Sequence, residues 1–172
     1  MLGRGLRTWR RRRSRIRPLA VIAVVATAAA IVAPVALPAK KHAFTASYAG
    51  HGSGEVSGTT ASGIATATGR GRIIGAGTLT GSASGVFTSQ TCVVFSGTAI
   101  LKGSSGSITV AAHGAQACAG STDANNVSFS GRGKVTGGTS TFAGARGTLS
   151  FTGIYLRQTG AVTISFRGQI TF

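Results

Sequence analysis

Residues 127–137 read Val127-Ser-Phe-Ser-Gly-Arg-Gly-Lys-Val-Thr-Gly137. The odd positions are Val127, Phe129, Gly131, Gly133, Val135 and Gly137. The even positions are Ser128, Ser130, Arg132, Lys134 and Thr136. One parity is apolar or glycine and the other is polar and basic. A period of 2 places the two sets on opposite faces of a strand, one inward and one toward water.

The same alternation runs through the chain from residue 44 onward. At the end, Val162, Ile164, Phe166, Gly168, Ile170 and Phe172 alternate with Thr163, Ser165, Arg167, Gln169 and Thr171. At the start, Phe44, Ala46, Tyr48, Gly50, Gly52, Gly54 and Val56 share one parity. Gly, Ser, Thr and Asn gather between these stretches, as turns require. The pattern predicts eight strands, at 44–58, 61–74, 76–87, 92–102, 106–116, 127–136, 146–156 and 161–172. Residues 119–126 form the clearest loop. No part of this region has the period of an amphipathic helix.

A motif G-x-G-x-Φ-x-G, with Φ aliphatic, occurs four times. It spans Gly52–Gly58 with Val56, Gly69–Gly75 with Ile73, Gly75–Gly81 with Leu79, and Gly131–Gly137 with Val135. Glycine weakens a strand, so repeated inward glycine needs a purpose. Bare backbone lets a sheet bend sharply and lets a ring pack over it. The uneven spacing of the four matches counts against a β-solenoid. A two-sheet sandwich is the remaining alternative. The expectation is an all-β, antiparallel, eight-stranded closed barrel, a size whose interior is just filled or holds one small ligand.

Ahead of the strands lies a segment of different character. Eight of the 18 basic residues fall in the first 17 positions, and an apolar run follows from Leu19 to Leu37. This is the pattern of a secretory signal peptide. As a helix the run reaches roughly 28 Å, enough for a membrane anchor. Pro34, Pro38 and the small Ala39 favour cleavage instead. Residues 1–39 are thus read as an apolar helix serving as signal peptide or anchor, and 40–172 as the barrel domain. The expected location is secreted or extracytoplasmic, with the N-terminus in the cytoplasm if residues 19–37 stay in the membrane.

The segment carries much of the charge. The formal net charge is +16, but residues 40–172 hold ten bases (Lys40, Lys41, Arg70, Arg72, Lys102, Arg132, Lys134, Arg146, Arg157 and Arg167) and two acids, Glu55 and Asp123. Their balance is +8. A nucleic-acid partner is therefore not expected, and no aromatic residues interleave with the bases for stacking. Arg70 and Arg72 match Arg132 and Lys134 in two related stretches. On neighbouring strands, these four form a candidate basic surface for an anionic envelope polymer or a lipid surface.

Cys92 and Cys118 are expected to pair in an oxidising compartment. They are symmetric about Ser105, in the turn Gly103-Ser-Ser-Gly106. The apolar pattern instead sets Leu101 beside Ile108 or Val110, one residue out of that register. A bulge or a diagonal cystine reconciles the two. His51 and His113 lie on the polar parity, and His42 precedes the first strand. Two acids and three histidines leave no metal set, no cofactor site and no paired carboxylates, and the glycine motif lacks the spacing of a dinucleotide loop. No catalytic residue is assigned.

The stretch Gly137-Gly-Thr-Ser-Thr-Phe-Ala-Gly-Ala-Arg-Gly147 resembles a signature, G-G-T-x-x-F-x-G-A-x-G. It is similar to that of dirigent-like and allene-oxide-cyclase-like β-barrels and of many small secreted bacterial proteins. The resemblance covers about the last 45 residues. It implies a β-barrel fold, glycines at positive φ, Phe142 as a plug, and an apolar small molecule held within the barrel. Three functions follow as expectations. The leading one is a non-enzymatic barrel binding a small apolar ligand. The second is an envelope structural or adhesion protein using its basic face. The third, a cyclase-like enzyme, needs inward polar groups that this alternation does not supply.

Overall fold

The computed structural model describes residues 40–172, and the expected signal or anchor segment lies outside them. Eight antiparallel strands form one closed barrel in sequence order: β1 (Lys41–Ser57), β2 (Thr60–Gly71), β3 (Gly75–Phe87), β4 (Cys92–Gly103), β5 (Gly106–Ala119), β6 (Asn126–Gly138), β7 (Arg146–Leu156) and β8 (Ala161–Thr171). Neither a solenoid nor a sandwich is formed. The ring closes where Lys41 pairs with Thr171, and that register runs to His51 opposite Ala161. Closure leaves no free edge along most of the wall. The one helical turn among the described residues is 3-10, Ser140–Phe142, between β6 and β7.

The two ends of the barrel differ. One end holds the β2–β3, β4–β5 and β6–β7 connections, together with Lys41 and Thr171. There the lumen is packed solid by Phe44, Ile74, Leu101, Ile108, Phe142, Leu149 and Ile170, all fully buried. The other end holds the β1–β2, β3–β4, β5–β6 and β7–β8 connections. At that end β1 outruns its partner. Gly52 N–H still donates to the Gly160 carbonyl at 2.8 Å, but Ser53 to Ser57 pair with β2 alone, so the wall is notched beside the β7–β8 turn. Val56 sits beyond the packed region and is 66% exposed, not inward in the core as its motif position suggests.

Inward glycines make room for rings. A Cβ on Gly69 would lie 2.7 Å from Cδ1 of Tyr48, and one on Gly131 would lie 2.8 Å from Cζ of Phe151. Phe129 covers Gly153 in the same way. Tyr48, Phe151 and Phe166 then meet in edge or tilted contacts with centroids 6.1–6.4 Å apart.

Three expectations are corrected. The second strand ends at Gly71, not at residue 74, because the Gly71-Arg-Ile-Ile-Gly75 stretch folds into a turn that drives Ile74 into the closed end. Ile73 therefore lies in a turn and not on a strand face. His42 lies within β1, where its ring stacks on Phe172 at 4.6 Å.

The competing registers of β4 and β5 are both present. Leu101 opposes Ile108, Cys92 opposes Cys118, and the register shifts between Phe95 and Gly97. The extra residue is absorbed at His113 and Gly114, both exposed. Gly114 has φ +66°, a value glycine adopts without strain. Ala112 and Ala115 can then both face inward.

Candidate functional site

The lumen above the packed end is a cavity of about 460 Å³ open at the notched mouth. Its floor is aromatic: Phe95, Phe129, Phe151 and Phe166. Its side wall is made of small inward residues, among them Gly63, Gly81 and Gly97 and the alanines between them. These positions alternate with outward Ser and Thr, and with the exposed Ile64, Val86 and Ile100. A Cβ at Gly81 would meet nothing closer than 3.4 Å, so this glycine leaves usable space and avoids no clash. Tyr155, Arg157 and Glu55 stand at the rim.

Beneath the cavity, Tyr48 faces inward from β1 beside Phe166. Its hydroxyl is buried with no hydrogen-bond partner among the described residues. Burial pushes the phenol above its ordinary value, because the phenolate would lose its hydration. It is an inward polar group that the alternating pattern hides, as is Tyr155 at the rim, since tyrosine sits on the apolar parity. An inward hydroxyl next to glycines was the available signal.

The cystine joins Cys92 and Cys118 at the mouth, with Cα atoms 4.1 Å apart. It sits beside a tied loop: Ser89 Oγ accepts from the backbone N–H of Cys92 at 3.0 Å, and Thr91 carbonyl accepts from Ala119 N–H. The bond thus fixes the rim of the cavity. A disulfide also fits an extracytoplasmic location.

The four expected basic residues do not form the stripe read from their matched sequences. Arg70 and Arg72 lie at the end of β2 and in the turn after it, whereas Arg132 and Lys134 are on β6. Three strands lie between β2 and β6 in either direction around the ring, so matched sequence does not mean adjacency. Cross-strand pairing links them through a residue the sequence did not single out. Arg132 opposes Ser150, Ser150 opposes Arg167, and Arg167 opposes Thr45. Thr45 carbonyl in turn accepts from the backbone N–H of Arg72 at 2.8 Å.

His51 and His113 are exposed, and no group of three His, Cys, Asp or Glu side chains converges among the described residues. No helix among the described residues is long and apolar enough to cross a membrane. No family model matches this chain, and no curated protein or solved structure matches it significantly.

Proposed function

We propose that this protein is an exported, non-enzymatic barrel that holds a small apolar ligand in its lumen. The observation that carries the reading is the cavity of about 460 Å³, aromatic at its floor and open at one end only. Its size lies within the range of small-molecule sites, roughly 300–1,000 Å³. A solidly packed lumen costs a barrel nothing in function if its role is purely structural. Here packing is completed at one end and withheld at the other, by glycine and alanine at Gly81, Ala83 and Ala99. The notch between Ser53–Ser57 and the β7–β8 turn gives a way in. The carbon lining offers burial of apolar surface as the driving force.

The test combines mass and titration. Protein from its secreting host is weighed by native and then denaturing mass spectrometry, and the emptied protein is titrated with the apolar dye anilinonaphthalene sulfonate. The expected result is an extra native mass of a few hundred daltons (roughly the size such cavities hold) and dye binding that Gly81→Leu abolishes. Equal masses together with dye binding unaffected by Gly81→Leu would overturn the reading.

A further inference from the structure

The charges of the barrel are sorted along its axis. Lys40, Lys41, Arg70, Arg72, Lys102, Lys134 and Arg146 lie toward the closed end, and Arg132 and Arg167 lie near the middle of β6 and β8. Arg157 alone is at the mouth, in the β7–β8 turn. Both acids are there too, Glu55 near the tip of β1 and Asp123 in the β5–β6 loop. All of these positively charged side chains are exposed. The closed end is thus strongly cationic with no acidic side chain to offset it, and the mouth is close to neutral.

We infer that the closed end is a docking surface for an anionic lipid membrane. Three observations support this choice of partner. First, the charges form a belt, not a single point. The row Arg132–Ser150–Arg167–Thr45 sets Arg132 on β6 and Arg167 on β8, about 10 Å apart across β7, and leads on to Arg72 at the closed end. That spacing suits a field of separate headgroups, and each base near such a surface adds attraction. Second, Arg70 and Arg72 flank a shallow outer groove of about 500 Å³ with the hydroxyl-bearing Thr45 and Ser47, donors fit for a phosphodiester. Third, the chain enters the barrel at this end, and the apolar run 19–37 stops only two residues before Lys40.

The barrel domain is a fair probe, because every strand, the cystine and the whole described core lie between Lys41 and Phe172, and the ring pairs with itself. Residues 40–172 are mixed with vesicles of phosphatidylcholine, alone or with phosphatidylglycerol, and with soluble polyphosphate. Sedimentation with the phosphatidylglycerol vesicles is expected, suppressed by salt. Arg70→Glu with Arg72→Glu is expected to weaken it by about thirtyfold or more, each base near the surface being worth about a factor of five. Arg157→Glu with Gln90→Glu and Ser121→Glu alters the charge by the same amount at the mouth and is expected to change binding little. In the unaltered domain, vesicles are expected to slow amide exchange at 72–74 and 139–145 but not at 88–91 or 120–125. Equal loss in the two variants, equal binding to phosphatidylcholine alone, or exchange slowed at the mouth overturns the inference. Tighter binding to polyphosphate than to vesicles overturns it in favour of a soluble polyanion.

Discussion

Phe129 on β6 occupies the space that a side chain on Gly153 of β7 would need: a Cβ there would lie 2.6 Å from Cε2 of the ring. The pair shows why glycine appears on the inward parity of a strand that would be stronger with valine. The ring fills the lumen only because the backbone beneath it is bare.

Gly153→Ala is therefore expected to lower stability by about 1–3 kcal/mol, the usual cost of overpacking. Gly81→Ala, whose new methyl meets nothing closer than 3.4 Å, is expected to be neutral or slightly stabilising. Urea denaturation of the two variants checks the contrast. Phe129→Leu combined with Gly153→Ala should recover part of the loss.

Removing the cystine, as Cys92→Ser with Cys118→Ser, is expected to cost about 3.5 kcal/mol on loop-closure grounds. Register should survive, because it is set by the bulge at Gly114 and by Leu101 opposite Ile108. Gly114→Val forces a branched side chain into φ +66° and should itself cost about 1–3 kcal/mol. Denaturant midpoints with and without reductant measure both.

Phe142 plugs the closed end, fully buried and edge-on to Phe172 at 5.0 Å. Arg146 holds the connection around it, donating to the carbonyls of Thr136 at 3.0 Å and Ala145 at 2.8 Å. Phe142→Ala is expected to cost roughly 3–5 kcal/mol. Thermal unfolding followed by near-ultraviolet circular dichroism reports it.

Tyr48 gives a pH dependence with a definite sign. Its phenol is raised in the folded state, so the unfolded chain releases the proton first as pH increases. The associated stability is fully present below the ordinary tyrosine pKa of about 10 and is lost as pH rises from there toward the folded value. Tyr48→Phe should remove this component of alkaline destabilisation. Near neutrality it should be stability-neutral or better, since a buried hydroxyl without a partner is lost. Urea midpoints of the two proteins from neutral to alkaline pH test both statements.

Strand number and most boundaries were legible because alternation is a local property, written residue by residue in stretches such as 127–137 and 161–172. The two conflicting registers around Ser105 were legible as a conflict, and a bulge was one of the two solutions expected. Its place at His113–Gly114 was not, since glycine alone does not distinguish a bulge from a ring-bearing site such as Gly153. The turn at 72–74 was hidden by an Ile-Ile pair that prolongs the alternation on paper, whereas the closed end needed Ile74 as a stopper. The basic belt was misread for a different reason. Which strands lie side by side is a matter of ring order, and Arg167 becomes the link between Arg72 and Arg132 only once β8 has met β1.

The meeting of β8 with β1 also orders events in time. Seven of the pairings join strands that follow one another along the chain, and each can zip as a hairpin. The eighth, Lys41 against Thr171, waits until β8 has been made. Until then the nascent sheet is an unsealed ribbon with two bare margins, capable of pairing with a neighbour chain as readily as with itself. The final eleven-residue strand is in this sense a clasp. A chain truncated before it keeps seven strands and their inward rings but has no lumen to put them in.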